Sequence, residues 1–213
     1  MSSDLSALHA LAQYETPIAA TDSSGPKYAP VAVKRIEDRI QRIFRAVTLG
    51  VIDPAARVLV TEGVRGCAGR DEWCEVSSGY DVLRELIQYR NDPSGLDLFQ
   101  TMRRSIETRA GDCGSFTSAF DTWLSILGYP CGACVIAQGA DWDHVYAIGM
   151  VPRGGRLGKT PKRVAFDLSE PGVPPGWEPQ SWRYRRKQDY WYDAEKWVAW
   201  YYEGANDARM PQV

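Results

Sequence analysis

The sequence of 213 residues predicts an α+β fold, in which helices come first and a small antiparallel sheet follows. Two changes along the chain predict this order. Apolar residues recur at helical spacing as far as Gly128, whereas after Pro130 they follow the pattern of strands. Short loops between the first strand candidates favour antiparallel pairing. We therefore expect the helix that ends before Gly128 to pack against the sheet.

Composition limits the class of protein. Apolar residues make up 44% of the chain, which is typical of a globular domain rather than of a disordered segment. A net charge of −2 gives no reason to expect a nucleic-acid or membrane partner. The first residues, Met1 to Gln13, have neither a basic start nor a continuous apolar run, so we expect no signal peptide and a cytoplasmic protein.

Three segments are expected along the chain. Residues 1–30 are interpreted as an arm, with a short helix followed by a linker rich in serine and proline. Residues 31–175 form the main domain. Residues 176–213 form an extension in which tryptophan and tyrosine are concentrated, and we expect most of these side chains to cover the core. The alternative is an interface for another subunit or a peptide.

The first helices are read from apolar spacing and from capping residues. A helix is expected from Val31 to Thr48, with Gly50 as its end. Asp53 and Pro54 are typical of a cap and a first helical position, and they predict a second helix as far as Gly63.

The next part of the chain leads to a third and a fourth helix. Residues 66–74 are expected to be a loop, residues 76–89 a helix, and residues 98–109 irregular or partly helical. Cys113 begins a helix that runs to Leu127, where a glycine and a proline end it.

Three strands and a last helix follow. The strands are expected at Cys131–Ala137, His144–Val151 and Arg163–Leu168, and a basic connection, Arg153 to Arg163, joins the last two. Three interpretations are open for that connection, a lid, a contact for a partner and a solvated hairpin, of which the last is the commonest. Asp193 is expected to cap a helix that runs to Tyr202.

The stretch Gly111-Asp112-Cys113-Gly114 is the strongest indication of chemistry. A tight turn delivers a cysteine to the first turn of a helix, where unpaired N–H groups and the helix dipole favour a thiolate. His144 and Asp167 follow on two strand candidates. A cysteine, a histidine and an aspartate in this arrangement are typical of a nucleophile, its base and the group that orients the base.

Each of these residues alone is more often structural, because a buried cysteine is usually a small apolar group and a single histidine usually a hydrogen-bonded one. Their combination with the turn and the helix favours catalysis. Four segments then resemble the transglutaminase-like superfamily of cysteine enzymes: Gly111-Asp112-Cys113, Leu127-Gly128-Tyr129-Pro130, His144-Val145-Tyr146 and Phe166-Asp167.

The resemblance implies a papain-like α+β core in which the cysteine helix packs on the sheet and Cys113, His144 and Asp167 form a catalytic triad. Tyr89-Arg90-Asn91-Asp92-Pro93, Phe99-Gln100 and the segment from Pro174 to Pro179 resemble members encoded by bacteriophages and prophages. Phage structural or assembly proteins are therefore expected partners, and the virion is a second expected location. Many relatives have acidic residues directly after the cysteine, whereas Gly114 and Ser115 stand here.

Further residues are candidates for the same site. Gln100 and Trp142 carry N–H donors and are candidates for stabilising an oxyanion, although either is also a plausible packing residue. Gly114, Ser115 and Asp143 are expected to line the substrate site because they are next to the cysteine and the histidine.

The other cysteines leave two interpretations. Five cysteines, an odd number, argue against a disulfide framework. Cys131 and Cys134 have the spacing of a zinc pair, which Cys67 and Cys74 could complete. Residues three positions apart on a strand point to opposite faces, however, so we expect buried structural thiols and neither a metal nor a cofactor.

Two functions follow from the sequence. The first is a cysteine-dependent enzyme that cleaves an amide bond of a protein or peptide through an acyl-enzyme, with transamidation as a second outcome. No acidic cluster of the calcium-binding type is present in the sequence, which disfavours a calcium-regulated crosslinking enzyme. The alternative is a phage virion or assembly protein that uses the same fold as a scaffold without catalysis.

Overall fold

The structure is a computed structural model that describes residues 36–69, 71–92, 97–139, 142–152, 160–202 and 211. In these ranges the chain forms six α-helices, a four-stranded antiparallel sheet and a short parallel pair of strands, so the predicted α+β class is confirmed. The helices are α1 (Ile36–Ile52), α2 (Pro54–Gly63), α3 (Glu72–Leu86), α4 (Met102–Thr108), α5 (Cys113–Ile126) and α6 (Ala194–Tyr202). The strands are β1 (Gln88–Tyr89), β2 (Ala110–Gly111), β3 (Cys131–Ala137), β4 (His144–Val151), β5 (Lys162–Phe166) and β6 (Arg186–Trp191).

The sheet has the strand order β5-β4-β3-β6, and all of its pairs are antiparallel. The three predicted strands are confirmed as β3, β4 and β5. Strand β6 was not expected, because no strand was predicted in residues 176–213. Arg186 and Lys187 of this strand pair with Ala137 and Ile136 of β3.

Helix α5 packs across one face of the sheet, and Trp123 attaches two further helices to it. The Trp123 ring is completely buried between α2 and α3. A Cβ atom at Gly79 would lie 2.4 Å from the ring, and one at Gly63 would lie 2.3 Å from it. These two glycines therefore permit the close approach of both helices to α5.

The ends of α1 and α3 differ from expectation. Gly50 does not end α1, which continues to Ile52. A Cβ at Gly50 would lie 2.6 Å from Thr122 Oγ1 of α5, so this glycine serves a close helix contact. Helix α3 begins at Glu72, earlier than expected, because the Asp71 carboxylate accepts the Cys74 N–H at 3.0 Å and caps it.

The expectation for two of the cysteines is wrong. Cys67 and Cys74 are half-buried and form a disulfide across the start of α3. Their sequence separation of 7 allows a local bridge that the odd total of cysteines does not exclude. The expected opposite orientation of Cys131 and Cys134 is confirmed, since Cys131 belongs to the main core and Cys134 to a cluster on the other sheet face.

Aromatic residues near the end of the described chain pack on α1. Trp197 of α6 meets Phe44 edge to face, with ring centroids 6.0 Å apart. The Tyr192 hydroxyl lies 3.0 Å from Thr48 Oγ1. The predicted arm, residues 1–30, and most of the basic connection, residues 153–159, lie outside the described residues. None of the described helices is long and apolar enough to cross a membrane.

Asp121 is an unusual member of the core. It lies in the middle of α5 and is fully buried, and neither carboxyl oxygen has a hydrogen-bond partner among the described residues. The Gly132 amide faces the carboxyl group without closing a full hydrogen bond to either oxygen. Burial raises the pKa of Asp121 well above its usual range, which favours the neutral carboxylic acid in the folded protein.

We expect the Asp121→Asn variant to be more stable than the parent at neutral pH. Asp121 ionises in the unfolded chain above about pH 4 but keeps its proton to higher pH when folded, because burial raises its pKa, so its contribution to stability declines as pH rises towards the folded-state pKa. Asparagine does not titrate. The difference in free energy of unfolding should therefore grow by up to about 1.4 kcal/mol per pH unit above pH 4. Urea unfolding at several pH values measures this, with the exposed Asp81→Asn as control; a pH-independent difference would contradict the account.

Candidate active site

Cys113 is the first residue of α5, and the residues around it hold the start of this helix in place. Asp112 is the N-cap, and its carboxylate accepts the Ser115 N–H at 2.8 Å. Gly111 pairs with Tyr89 in the short parallel ladder. A Cβ at Gly111 would lie 2.8 Å from Ser115 Cβ, so the turn before the cysteine requires glycine. Cys113 itself is half-buried and reaches the surface.

His144 and Asp167 meet at one end of two neighbouring strands. His144 opens β4, and Asp167 directly follows the last residue of β5. The antiparallel pairing of Ala147 with Phe166 brings these ends together. His144 Nε2 lies 2.7 Å from Asp167 Oδ2, and the Cys113 side chain lies close enough to the same imidazole to contribute to raising its pKa. The structure therefore brings Cys113, His144 and Asp167 into one site.

The Asp167 carboxylate is held by donors on both oxygens. It is almost fully buried, and its second oxygen, Oδ1, accepts the Ser169 hydroxyl at 2.7 Å. The backbone N–H groups of Ser169 and Glu170 also donate to Oδ1, each at 3.2 Å. This tight turn leaves Oδ2 directed at the imidazole.

Electrostatics favour a charged pair at this position. Burial alone would lower the pKa of His144, but the hydrogen bonds and charges of Asp167 and Cys113 outweigh it and raise that pKa to about 10. Burial alone would raise the pKa of Asp167, whereas the His144 interactions and the Ser169 hydroxyl hold it below its usual range. The imidazole is therefore protonated at neutral pH, with Nε2 donating to Asp167.

Cys113 opens onto a cleft with apolar surfaces. These surfaces are formed by Ile36, Ile40, Ile43, Phe99, Val135, Trp142 and Val145. Arg39 Nη2 lies 3.1 Å from Asp97 Oδ2 along the edge of this cleft. A second cleft is lined by Ile136, Gln138, Asp143, His144, Asp167, Glu170, Trp177, Pro179 and Arg183. Asp143 and His144 line both clefts, so the two clefts meet at the imidazole.

Of the residues expected to line the substrate site, Gly114 and Asp143 line the first cleft with Cys113. Ser115 does not, because its side chain is fully buried and lies 3.4 Å from the Leu98 carbonyl. It supports the first turn of α5 from behind.

The two candidates for an oxyanion donor are placed differently. Trp142 lines the first cleft, and its ring carries the Arg186 guanidinium at 4.7 Å from the ring centroid. The Gln100 side chain points to α4, where its oxygen accepts the Thr108 hydroxyl at 3.2 Å. The structure therefore does not bring Gln100 to the cleft, because the loop that carries it is fixed to α4 and α5.

Two residues that hold the backbone around Asp167 from another helix were not predicted from the sequence. Tyr80 and Arg84 of α3 bind the backbone that follows β5. Both read as ordinary helix residues in the sequence, with no signal of a link to Asp167. Ser169 was detectable in principle, because a serine two residues after an aspartate is typical of a turn that closes on the carboxylate.

Comparisons with known proteins give little guidance. No family model matches the sequence, and no curated protein matches it. A "putative protease" from Parabacteroides distasonis is similar in structure, with 11% identity, a TM-score of 0.42 and coverage of 66% of this chain and 32% of that one. A "putative cysteine protease" from Cytophaga hutchinsonii has 16% identity, a TM-score of 0.43 and coverage of 68% and 47%. The chain thus spans about a third and about half of the length of these two proteins.

We expect His144 to titrate near pH 10, and Asp167→Asn to lower its pKa by several pH units, because burial would then act without the opposing carboxylate. The chain has two histidines, so a His9→Gln background leaves one imidazole signal to follow by NMR. Asp143→Asn, at a neighbouring carboxylate without this hydrogen bond, is the control. A His144 pKa near its ordinary value of about 6.5 in the parent protein would contradict the charged pair of His144 and Asp167.

Two glycines on either side of Cys113 should respond differently to alanine. Gly111→Ala forces Ser115 to move and should lower stability by about 1–3 kcal/mol and displace the cysteine. Gly114→Ala meets Phe99 at an ordinary 3.5 Å and should change stability by less than about 1 kcal/mol. Urea unfolding and the rate of Cys113 alkylation measure both effects. Equal behaviour of the two variants would show that the turn does not set the cysteine position.

Proposed function

We propose that the protein is a cysteine-dependent enzyme that cleaves amide bonds, with Cys113 as nucleophile, His144 as acid and base, and Asp167 as the group that orients His144. The observation that carries this proposal is the His144 imidazole, which lies 2.7 Å from Asp167 Oδ2 and lines the same cleft as Cys113. Packing does not require these three residue types to converge at a cleft. We also infer that the helices and sheet form a transglutaminase-like, papain-like core.

The proposed reaction begins with Cys113 as a thiolate and His144 as a protonated imidazole. The Cys113 thiolate attacks the carbonyl carbon of the amide, and the carbonyl oxygen becomes an oxyanion. The Asp112 carboxylate accepts the Ser115 N–H, and we assign the Cys113 N–H of the same turn to the oxyanion. Trp142 remains the second candidate donor, since it lines the same cleft.

The carbon–nitrogen bond then breaks, and the leaving nitrogen takes the proton that His144 holds. The acyl group stays on Cys113 as a thioester. Water, deprotonated by His144, attacks the thioester carbon and releases an acid and the free thiolate, while an amine in place of water would give transamidation. We propose hydrolysis of a protein or peptide as the main outcome. The apolar surfaces beside Cys113 are suited to bury part of such a chain.

Alkylation by iodoacetamide is the test. Cys113 should react at pH 5–6 about tenfold or more faster than a free thiol, because the neighbouring imidazolium supports the thiolate. Cys131 and Cys134 are internal controls, since burial raises the pKa of both thiols, to about 12 for Cys134. Mass spectrometry of the labelled peptides separates the three sites. Cys113→Ala should abolish hydrolysis of unfolded casein.

A different result of the same measurements would contradict the proposed enzyme. A Cys113 that reacts no faster than a free thiol, with casein hydrolysis unchanged in Cys113→Ala, would leave the fold as a binding scaffold. His144→Gln is the matched variant, because it removes the imidazolium and keeps a polar side chain of similar size. It should slow alkylation at pH 5–6 while the buried thiols stay unlabelled.

A further inference from the structure

The backbone that carries Asp167 is held by a side chain from another helix. Tyr80 of α3 is buried, and its hydroxyl lies 2.9 Å from the carbonyl oxygen of Asp167 and 2.9 Å from that of Val173. The contacts of the Asp167 carboxylate with Ser169 and Glu170 lie within one turn. They orient the carboxylate relative to that turn, whereas Tyr80 connects the turn to the helical layer.

Arg84, one helical turn after Tyr80, contacts both the Val173 carbonyl and the Tyr80 hydroxyl. Its Nη1 lies 2.8 Å from the Val173 carbonyl and 3.2 Å from the Tyr80 hydroxyl. A tyrosine hydroxyl has one proton to donate, and a guanidinium only donates. The Val173 carbonyl has Arg84 as a second donor, so we assign the single Tyr80 proton to the Asp167 carbonyl, while the Tyr80 oxygen accepts from Arg84.

The Tyr80 ring also contacts the helix that begins with the nucleophile. It meets Phe120 of α5 edge to face, with ring centroids 6.1 Å apart. Phe120 in turn packs on Phe166, the residue before Asp167, at 4.7 Å. One tyrosine therefore contacts both the helix of Cys113 and the turn of Asp167, so its position relates the two.

We propose that Tyr80, with Arg84, is a positioning residue that sets the place of Asp167 and thereby the orientation of His144 towards Cys113. This inference rests on the proposed function, because the orientation matters for chemistry only if His144 and Cys113 exchange a proton. Loss of the Tyr80 hydroxyl leaves the Asp167 carbonyl without this donor in a buried place. The turn then relaxes, and the hydrogen bond between His144 and Asp167 lengthens.

The test compares Tyr80→Phe with Tyr129→Phe. The Tyr129 hydroxyl donates at 2.6 Å to Glu75 of α3, the helix that also carries Tyr80, so loss of this hydroxyl is a matched structural change. Two measurements are made in the His9→Gln background, the His144 pKa by NMR and the rate of Cys113 alkylation at pH 6. Tyr80→Phe should lower the pKa by about one pH unit and slow alkylation about tenfold to a hundredfold. Tyr129→Phe should leave both unchanged, even where the two variants melt at equally reduced temperatures.

The outcomes separate this inference from the proposed function. Slow alkylation in the parent protein would overturn the proposed function and the positioning role with it. Fast alkylation that Tyr80→Phe leaves unchanged would overturn only the positioning role, as would equal changes in Tyr80→Phe and Tyr129→Phe. Should Tyr80→Phe not fold, Arg84→Met replaces it: the Tyr80 proton is then shared with the Val173 carbonyl, and a smaller fall in the His144 pKa is expected. An unchanged pKa in folded Arg84→Met would overturn the role.

Discussion

The burial of helix α5 is the constraint on which the rest of the structure depends. Every residue from Gly114 to Leu124 is buried. The hydroxyl groups in this stretch are satisfied close by, as with Thr117, which donates to the Cys113 carbonyl at 2.8 Å, and Thr122, which donates to the Ser118 carbonyl at 2.8 Å. A helix enclosed in this way can neither slide nor rotate without opening the core. Its first turn is thereby fixed at the surface, together with the cysteine.

The elements closest to the site could be predicted because their capping residues and apolar patterns indicate the same structure that their packing in the fold requires. The helix from Cys113 combines an aspartate cap, an apolar face and a glycine after its end, where Gly128 has a positive φ of 84°. Strand β3 is buried along its whole length and strand β4 over most of its length, as their continuous apolar sequences predict. Once Cys113 is placed on a helix and His144 and Asp167 on neighbouring strands, few arrangements other than the observed one remain.

The features that were missed depend on partners far along the chain. The sequence of strand β6 is highly charged and resembles a loop. In the fold, two of its charged side chains pair with remote residues: Asp189 binds Arg163 of β5 at 2.6 Å, and Lys187 binds Glu178 at 2.7 Å. The pattern of the sequence indicates a core position for Tyr80, and its ring does lie in the core. Only the hydroxyl contacts the backbone of Asp167. Periodicity reports which face of an element is buried, and it contains no information about which distant carbonyl or carboxylate a buried polar atom meets.

The contact between α1 and the aromatic end of the described chain also bears on the order of folding. Thr48 and Tyr192 are 144 positions apart, and their hydroxyl groups lie 3.0 Å from each other. Contacts between such remote positions form late, because closing a long loop is entropically unfavourable until other structure supports it. On the ribosome, α1 therefore has no access to this cover until the segment up to α6 has been synthesised. A nascent chain that ends after Asp167 already contains Cys113, His144 and Asp167 but lacks the aromatic residues that pack on its first helix.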